Sequence, residues 1–247
     1  MAAAPDSTIV LVSGANQGIG LAVAKELAEY KYHVIIGSRK STNGERVASE
    51  ISSEGHSASS VQLDIESDES IAAAVEHISK TYGRLDVLIN NAGIHLDGDY
   101  KGRLSKRELF SKTFSTNVIG TACLTDSCLP LLSKSHLPRL IFVSSHLGSL
   151  QLASDKTEPS YCADWPAYCS SKTALNMLAL SYSRLLVDTP FLVNAVAPGL
   201  VQTNATTYNR SHGSPPEEGA RRIVQLATME KGSATATFTD QSGNIPW

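Results

Sequence analysis

Short runs of apolar and β-branched residues alternate along this chain with segments whose apolar positions recur at helical spacing. An apolar run of about four to eight residues is typical of a buried strand, whereas apolar positions three or four residues apart are typical of one helix face. The pattern predicts six strands, at Thr8 to Ser13, His33 to Ser38, about Ala58 to Leu63, Leu85 to Asn90, Arg139 to Ser144 and Phe191 to Ala197.

Helical spacing fills the segments between these strands. After the first strand, Ile19, Val23 and Leu27 fall four residues apart. After the third strand, the apolar side of the helix consists of Ile71, Val75, Ile78 and Tyr82. Further helices are predicted from about Gly44 to Glu54, near 105 to 116, near 118 to 132 and from Ala167 to Val187.

This alternation predicts the α/β class, with one Rossmann-type, doubly wound parallel sheet flanked by helices on both faces. No stretch of linker composition divides the chain, so residues 1–247 are expected to form a single domain. Right-handed crossovers in such a sheet place the ligand crevice at the carboxyl ends of the strands, near the switch point.

Composition excludes several other classes of protein. With 42% hydrophobic and 18% charged residues, the 247-residue chain is not disordered, collagen-like or a disulfide miniprotein. The net charge of -3 indicates that neither nucleic acid nor an anionic membrane is a partner. The basic clusters are interpreted as solvated helix faces; they are Arg103, Lys106 and Arg107, then Arg221 and Arg222.

The four cysteines, at positions 123, 128, 162 and 169, have no C-x-x-C spacing and are interpreted as free thiols in a reducing compartment. The start MAAAPDST lacks the basic and apolar regions of a secretory signal. No apolar run approaches the roughly 18 residues that a membrane span needs. A cytoplasmic protein is therefore expected, and the sequons at Asn204 and Asn209 are expected to stay unmodified.

Candidate chemistry begins at the turn between the first strand and the first helix, which reads Ser13-Gly14-Ala15-Asn16-Gln17-Gly18-Ile19-Gly20. Its glycines permit positive φ and a close approach of backbone amides to a pyrophosphate. A helix N-terminus favours the negative charge of that group. A glycine-rich turn without a ligand is the alternative interpretation.

The second strand ends in Gly37-Ser38-Arg39-Lys40. An acidic residue at this place binds the ribose hydroxyls of NAD, whereas a basic side chain suits the 2′-phosphate of NADP. Arg39 therefore favours NADP(H) as the cofactor, and the alternative is a surface arginine without a ligand.

In Tyr168-Cys169-Ser170-Ser171-Lys172, a phenol and an ammonium stand at i and i+4 on one helix face. The preceding strand ends in Ser144-Ser145, so both groups can face the same crevice. A tyrosine with its ordinary pKa of about 10 is a poor acid or base near neutral pH, and a nearby cation favours the phenolate. A serine hydroxyl can hold the substrate oxygen while the phenol gives or takes its proton.

Together with Asn90-Asn91-Ala92-Gly93, Asn117 and Pro198-Gly199 before Thr203, these residues follow the order of the classical short-chain dehydrogenases/reductases. The chain resembles that family from end to end. The resemblance implies that Tyr168 is the general acid or base and that Lys172 lowers its pKa and binds the nicotinamide ribose. It also implies that Ser145, in preference to Ser144, orients the substrate carbonyl. Asn117 is implied to hold a proton-relay water.

The same resemblance implies which residues contact the cofactor. Residues 1–135 are expected mainly to bind it, and residues 136–247 to carry catalysis and substrate binding. The implied contacts are Gly14, Gly18, Ile19, Gly20, Ser38, Arg39, Asp64, Asn91, Tyr168, Lys172, Pro198, Val201 and Thr203. Structural roles stay open for Asp64, as the cap of a turn, and for Asn90 with Asn91, as ties between strands.

The carboxy-terminal region, through Ile245-Pro246-Trp247, is similar to that of the monomeric carbonyl-reductase branch. The segment 146–167 is longer than in many members, and it either covers the helix faces used in tetramers or walls the substrate pocket. A monomer or homodimer is favoured over a tetramer. The segment from Asn204 to Pro216 is short for a substrate lid, which favours an open pocket for bulky or varied carbonyl substrates.

The histidines and the remaining tyrosines do not change this interpretation. None of the 7 histidines has a metal-ligand spacing, so no metal is expected. His146 lies beside Ser145, but no G-x-S-x-G elbow supports a hydrolase. His95 is a candidate for the wall of the substrate site, and Tyr161 has no lysine four residues on.

The leading hypothesis is an NADPH-dependent oxidoreductase that reversibly reduces a ketone or aldehyde of small-molecule size to an alcohol. A non-redox isomerase or cyclase on the same fold, or a catalytically silent NADP-binding protein, is the alternative. The identity of the substrate is not predicted, because loops without a recognisable motif form its pocket.

Overall fold

Parallel strands form the centre of the computed structural model, which describes residues 7–98, 100, 102–159, 161 and 163–247. The strands are β1 (Ile9–Ser13), β2 (His33–Ser38), β3 (Ala58–Gln62), β4 (Val87–Asn90), β5 (Arg139–Val143), β6 (Leu192–Val196) and β7 (Thr237–Thr239). They make one sheet in the order β3-β2-β1-β4-β5-β6-β7, with every neighbouring pair parallel.

Helices connect successive strands and cover both faces of the sheet. They are α1 (Gly18–Glu29), α2 (Ser41–Ser53), α3 (Asp68–Tyr82), α4 (Lys106–Phe114), α5 (Thr121–Leu132), α6 (Leu150–Ser154), α7 (Pro166–Leu185), α8 (Thr207–His212) and α9 (Pro216–Ala227). A π-helical turn, Ser115–Gly120, joins α4 to α5, and a 3₁₀ turn, His146–Gly148, follows β5.

The predicted doubly wound fold is confirmed, and the predicted bounds of the first six strands differ from the observed ones by no more than two residues at either end. The count of six was wrong, because β7 pairs with β6 at the edge of the sheet. β7 has only three residues, Thr237 to Thr239, in a stretch rich in threonine. So short a run has no apolar pattern that distinguishes it from a loop.

The core has two layers, one on each face of the sheet. Leu11, Leu88 and Phe142 face one layer, whereas Val12 and Ile89 face the other. Consecutive residues of a strand point to opposite faces, so a strand that is buried on both sides must be apolar throughout. This is why the central strands β1, β4 and β6 are mostly apolar in sequence, whereas β3, which is only partly buried, is not.

The direction of winding reverses between β1 and β4. β2 and β3 extend the sheet on one side of β1, and β5, β6 and β7 extend it beyond β4. The turns that leave β1 and β4 therefore diverge, and a crevice opens between them. The glycine turn lies on one side of this crevice, and Asn91, Ala92 and Gly93 lie on the other.

The cysteines that the structure describes are free, at positions 123, 128 and 169, as predicted. Cys162 and the amino-terminal segment MAAAPD lie outside the described residues. Within the part of the chain that is described, no helix is long and apolar enough to cross a bilayer.

Candidate active site

The glycine turn after β1 places backbone atoms at the crevice, and its glycines have no side chains to cover them. Gly14 and Gly18 have φ of +66° and +56°, in the left-handed region that favours glycine. A Cβ on Gly20 would lie 2.5 Å from Asn91 Nδ2 and 2.7 Å from the Gly14 carbonyl oxygen, so only glycine fits there. Asn91 Nδ2 donates to the carbonyl oxygens of Ser13 and Gly14, which fixes the turn against the end of β4.

The ends of β2 and β3 supply the next residues. Arg39 is exposed and lines the crevice, whereas Ser38 is buried and its hydroxyl donates to the Lys40 carbonyl. Asp64 also lines the crevice, and its Oδ1 accepts from the Glu66 backbone amide at 3.1 Å. The structural roles left open for Asp64 and Asn91 are therefore both present, in residues that also face the crevice.

The segment after β6 forms the part of the crevice wall that lies next to the glycine turn. Pro198 and Thr203 line it, and the Thr203 methyl lies 3.2 Å from where a Cβ on Gly18 would be. Val201 is buried and forms a backbone bridge with Ser214, which closes the intervening segment into a loop. This loop contains α8, a helix that the polar sequence from Asn204 to Pro216 did not predict.

Tyr168 lies in the first turn of α7, and the two serines at the end of β5 have different partners. The Ser145 hydroxyl lies close enough to the Tyr168 phenol to oppose, in part, the rise that burial causes in the pKa of the phenol. The hydroxyl of Ser144 donates to the Lys172 carbonyl at 3.4 Å. Ser145 also caps the 3₁₀ turn after β5, where its Oγ accepts from the Leu147 amide at 3.2 Å.

Lys172 lies one helical turn after Tyr168 and is buried. Its Nζ donates to the Val143 carbonyl at 2.9 Å and lies 5.6 Å from the centroid of the Tyr168 ring. Burial lowers the pKa of Lys172 to about 8 and raises the pKa of Tyr168 to about 12, although the Ser145 hydroxyl opposes the second shift. The pKa of Tyr168 is thus raised by burial in this structure, whereas the resemblance implied that Lys172 lowers it.

Asn117 lies in the π-helical turn, a type of helix that often occurs at functional sites. Its Oδ1 accepts from the Ile94 amide at 2.8 Å, and its Nδ2 donates to the Ile94 carbonyl at 2.9 Å. The same Nδ2 donates to Ser171 Oγ at 3.0 Å. The Asn117 side chain thereby connects the segment after β4 to α7.

Three side chains near Tyr168 were not assigned as site residues from the sequence. His95 stacks on the Tyr168 ring with 4.2 Å between centroids, and Trp165 meets His95 edge to face at 4.9 Å. Asp97 accepts hydrogen bonds from the first backbone amides of α7. His95 had been a candidate for the pocket wall, but Asp97 gave no signal because its partners lie 70 residues further along the chain.

The segment 146–167 has two different surroundings. Its first part packs under the carboxy-terminal residues, with Gln151 N donating to the Trp247 carbonyl at 3.2 Å. Asp155, Lys156 and Tyr161 are exposed. Trp165, at its end, contacts His95, which lines the cleft, but none of the described residues of 146–167 is itself a lining residue, so the role of this segment stays a prediction.

Many of these residues line one cleft of about 520 Å³, which Ser144 also lines, whereas Ser145 and Asn117 are not among its lining residues. Of the residues assigned from the sequence, the lining includes Gly14, Gly18, Ile19, Gly20, Arg39, Asp64, Asn91, Tyr168, Lys172, Pro198 and Thr203. Ser38 and Val201 lie behind this surface. Among the described residues, no cluster of His, Cys, Asp and Glu side chains could hold a metal ion.

Comparison with known proteins gives consistent results. A model of the short chain dehydrogenase family matches residues 8–213. The short-chain dehydrogenase anuI of Penicillium roqueforti is 38% identical, over 96% of this chain and 94% of its own length.

Solved structures agree in fold. NADPH-bound carbonyl reductase from chicken fatty liver has a TM-score of 0.82 and 25% identity, over 98% of this chain and 99% of its own. The NADH complex of 3-ketoacyl-(acyl-carrier-protein) reductase from Brucella melitensis has a TM-score of 0.81 at 22% identity, over 96% and 98% of the two chains. The second likeness concerns the fold alone.

Proposed function

The chain belongs to the short-chain dehydrogenase family, and we propose that it reduces a ketone or aldehyde to an alcohol with NADPH as the reductant. The observation that carries this proposal is the placement of Tyr168, Lys172 and the glycine turn around one cleft. A protein that only binds a nucleotide has no need of a phenol and an ammonium beside its phosphate-binding turn.

The cleft fits a dinucleotide. The left-handed Gly18, and the contact that excludes any side chain at Gly20, leave the first amides of α1 open to a pyrophosphate. Asp64 and Asn91 line the cleft toward β3 and β4, and Thr203 lies on the opposite side of the glycine turn. A nicotinamide bound beside Tyr168 supplies the hydride.

In the proposed reaction, Ser145 donates a hydrogen bond to the substrate carbonyl oxygen, and Tyr168 transfers its proton to that oxygen as the alcohol forms. The raised pKa of Tyr168, about 12, keeps the phenol protonated at neutral pH, which is the form that reduction requires. The Lys172 ammonium, 5.6 Å from the ring centroid, stabilises the phenolate that remains.

The first experiment tests the reaction and the proton donor together. Purified protein is incubated with NADPH and a panel of ketones and aldehydes, and the mass of each product is measured. We expect a gain of two hydrogens with consumption of NADPH. Tyr168→Phe should lower kcat by roughly 100-fold to 10,000-fold with NADPH affinity retained, since it removes only the acidic hydroxyl.

Tyr161→Phe is the matched control, because Tyr161 is an exposed tyrosine seven positions earlier. Full activity in Tyr168→Phe would refute the proton donor. A product of unchanged mass would indicate isomerisation or cyclisation instead, and NADPH binding without any turnover across the panel would indicate a silent binding protein.

The preference for NADPH over NADH is proposed from Arg39, whose exposed guanidinium faces the cleft at the end of β2. A charge-assisted hydrogen bond to the 2′-phosphate contributes about 1.5–3 kcal/mol. Arg39→Ala should therefore lower the ratio of kcat/KM for NADPH to that for NADH by roughly 10-fold to 100-fold. Arg46→Ala, which removes an exposed arginine paired with Glu50, should leave the ratio unchanged. An unaltered ratio in Arg39→Ala would exclude the phosphate contact.

A further inference from the structure

The first turn of α7 is capped by a residue from a distant part of the chain. The helix begins at Pro166, and the preceding Trp165 side chain makes no capping hydrogen bond. Asp97 fills this role: its Oδ1 accepts from the Ala167 amide at 3.0 Å and its Oδ2 accepts from the Tyr168 amide at 2.9 Å. Asp97 is buried, so both bonds are shielded from water.

The segment that carries Asp97 also grips the Tyr168 side chain. His95, two residues earlier, lies nearly parallel to the phenol ring, with 21° between the ring planes. Trp165 packs against His95 in an edge-to-face arrangement. The ring and the backbone amide of Tyr168 are thus held by residues 95 and 97 of one short segment.

The other end of this segment is tied back to the same helix. Asn117 holds both backbone groups of Ile94 and donates to Ser171 Oγ. Ser171 Oγ in turn donates to the Tyr168 carbonyl at 2.7 Å. These hydrogen bonds and the covalent segment from Ile94 to Asp97 together form a closed ring through Asn117, Ser171 and Tyr168.

We propose that Asp97 is a positioning residue for the proton donor: its carboxylate holds the first turn of α7 and the cleft wall at residues 94–96 in one fixed arrangement. Ile94, His95 and Leu96 line the cleft, so the ring sets the phenol and the substrate wall relative to each other. This inference rests on the proposed function and extends it to a residue that does not touch the reacting atoms.

A carboxylate is the side chain that this position requires. Two amides of one helical turn each need an acceptor, and the two oxygens of aspartate supply both. An asparagine has only one acceptor oxygen. Its NH₂ group would therefore face one of the two backbone N–H groups and leave that group without an acceptor. The negative charge also complements the N-terminus of α7.

The test compares wild type with Asp97→Asn and Asp97→Glu. Misplacement of a reacting group by about 1 Å costs on the order of 100-fold in rate. We therefore expect Asp97→Asn to lower kcat roughly 10-fold to 100-fold, with the KM for NADPH within about 2-fold of wild type. The solvent deuterium isotope effect on kcat should rise, because proton transfer from a displaced phenol becomes slower. Asp97→Glu, which keeps both acceptors, should recover part of the lost kcat.

Asp155→Asn is the matched control, since Asp155 also caps a turn through its carboxylate but is exposed. A cap that only stabilises the fold would lower the Tm of Asp97→Asn while kcat and the isotope effect, measured well below Tm, stay at wild-type values; that result overturns the inference. If Asp97→Asn does not fold, Asp97→Ser is measured in its place, because its single hydroxyl oxygen cannot serve both amides as the carboxylate does; wild-type kcat and isotope effect in that variant would also overturn the inference. Absence of any carbonyl reduction by wild type would instead refute the proposed function.

Discussion

At the scale of single residues, burial determines the protonation states of two ionisable side chains in the candidate active site. Lys172 is buried and Tyr168 is partly buried, and the pKa of each is shifted toward its uncharged form, to about 12 for Tyr168 and about 8 for Lys172. The phenol stays protonated across the neutral range. With a pKa of about 8, Lys172 is mostly protonated at pH 7 and loses its proton as the pH rises through that value. We therefore expect Lys172 to set the upper pH limit of the reaction.

This shift gives a prediction for the pH dependence of reduction. Because the lysine pKa is lowered to about 8, the ammonium that stabilises the phenolate is lost as the pH rises through that value. We expect kcat for reduction to fall above about pH 8. Lys172→Arg, whose guanidinium stays charged to pH 12 and beyond, should remove this fall even if its kcat at pH 7 is lower. A fall at the same pH in Lys172→Arg would assign the limit to another group.

At the scale of secondary-structure elements, the edge of the sheet supports the segment that follows Ser145. After β7, Asp240 accepts from His146, the residue next to Ser145, at 2.8 Å. Ser149 Oγ donates to the Pro246 carbonyl at 2.7 Å, and Trp247 stacks on Phe238. The carboxy-terminal residues thus hold in place the segment that follows the carboxyl end of β5.

Asp240 should contribute to stability in a pH-dependent way. Burial favours a higher pKa for this carboxyl, but hydrogen bonds from His146 and from the amides of Ser242 and Gly243 outweigh it and leave the pKa lowered. Its stabilisation is therefore complete above the ordinary value of 3.8 and is lost as the pH falls through the lower, folded-state value.

Asp240→Asn is expected to lower the free energy of unfolding by about 1–2 kcal/mol at pH 7, and the difference from wild type should shrink in acid below about pH 4. Urea unfolding at both pH values measures this, with the exposed Asp188→Asn as control. A difference that grows as the pH falls would show that the carboxylate is not stabilised in the folded chain.

At the scale of the whole molecule, the two ends of the sheet have separate tasks. The carboxyl ends carry the cleft, and the amino ends carry networks that join strands. Asp86, just before β4, accepts from the Ile9 amide at 2.8 Å, from Arg84 Nε at 3.1 Å and from Ser135 Oγ at 2.6 Å. These bonds connect β1, β4 and the end of α5 on the side of the sheet away from the cleft.

Asp86→Ala should therefore affect stability without affecting chemistry. Loss of the Asp86 carboxylate leaves the Ile9 amide and the partly exposed Arg84 without their acceptor, which costs about 1–3 kcal/mol. We expect a large fall in the urea midpoint, while kcat measured on folded protein stays within about 2-fold of wild type, because no cleft residue loses a contact. Glu76→Ala, which removes an exposed ion pair with Lys80, should leave the midpoint nearly unchanged. A proportionate loss of kcat in Asp86→Ala would mean that the two ends of the sheet are coupled.

The sequence alone determined the class of fold, the bounds of the first six strands and the order of the motifs that identify the family. These follow from local rules: a strand buried on both faces must be apolar throughout, and a turn with positive φ favours glycine. The single-domain extent, the division at residue 135, the cytoplasmic location and the monomeric or dimeric state stay predictions.

Only the tertiary structure decided which groups meet. β7, the Asp97 cap on α7, the His95 stack on Tyr168 and the different partners of Ser144 and Ser145 depend on residues that are distant in the chain. The burial that shifts Tyr168 and Lys172 likewise comes from packing. Such contacts have no local periodicity or spacing, because they arise when separate crossovers bring their ends to the same edge of the sheet.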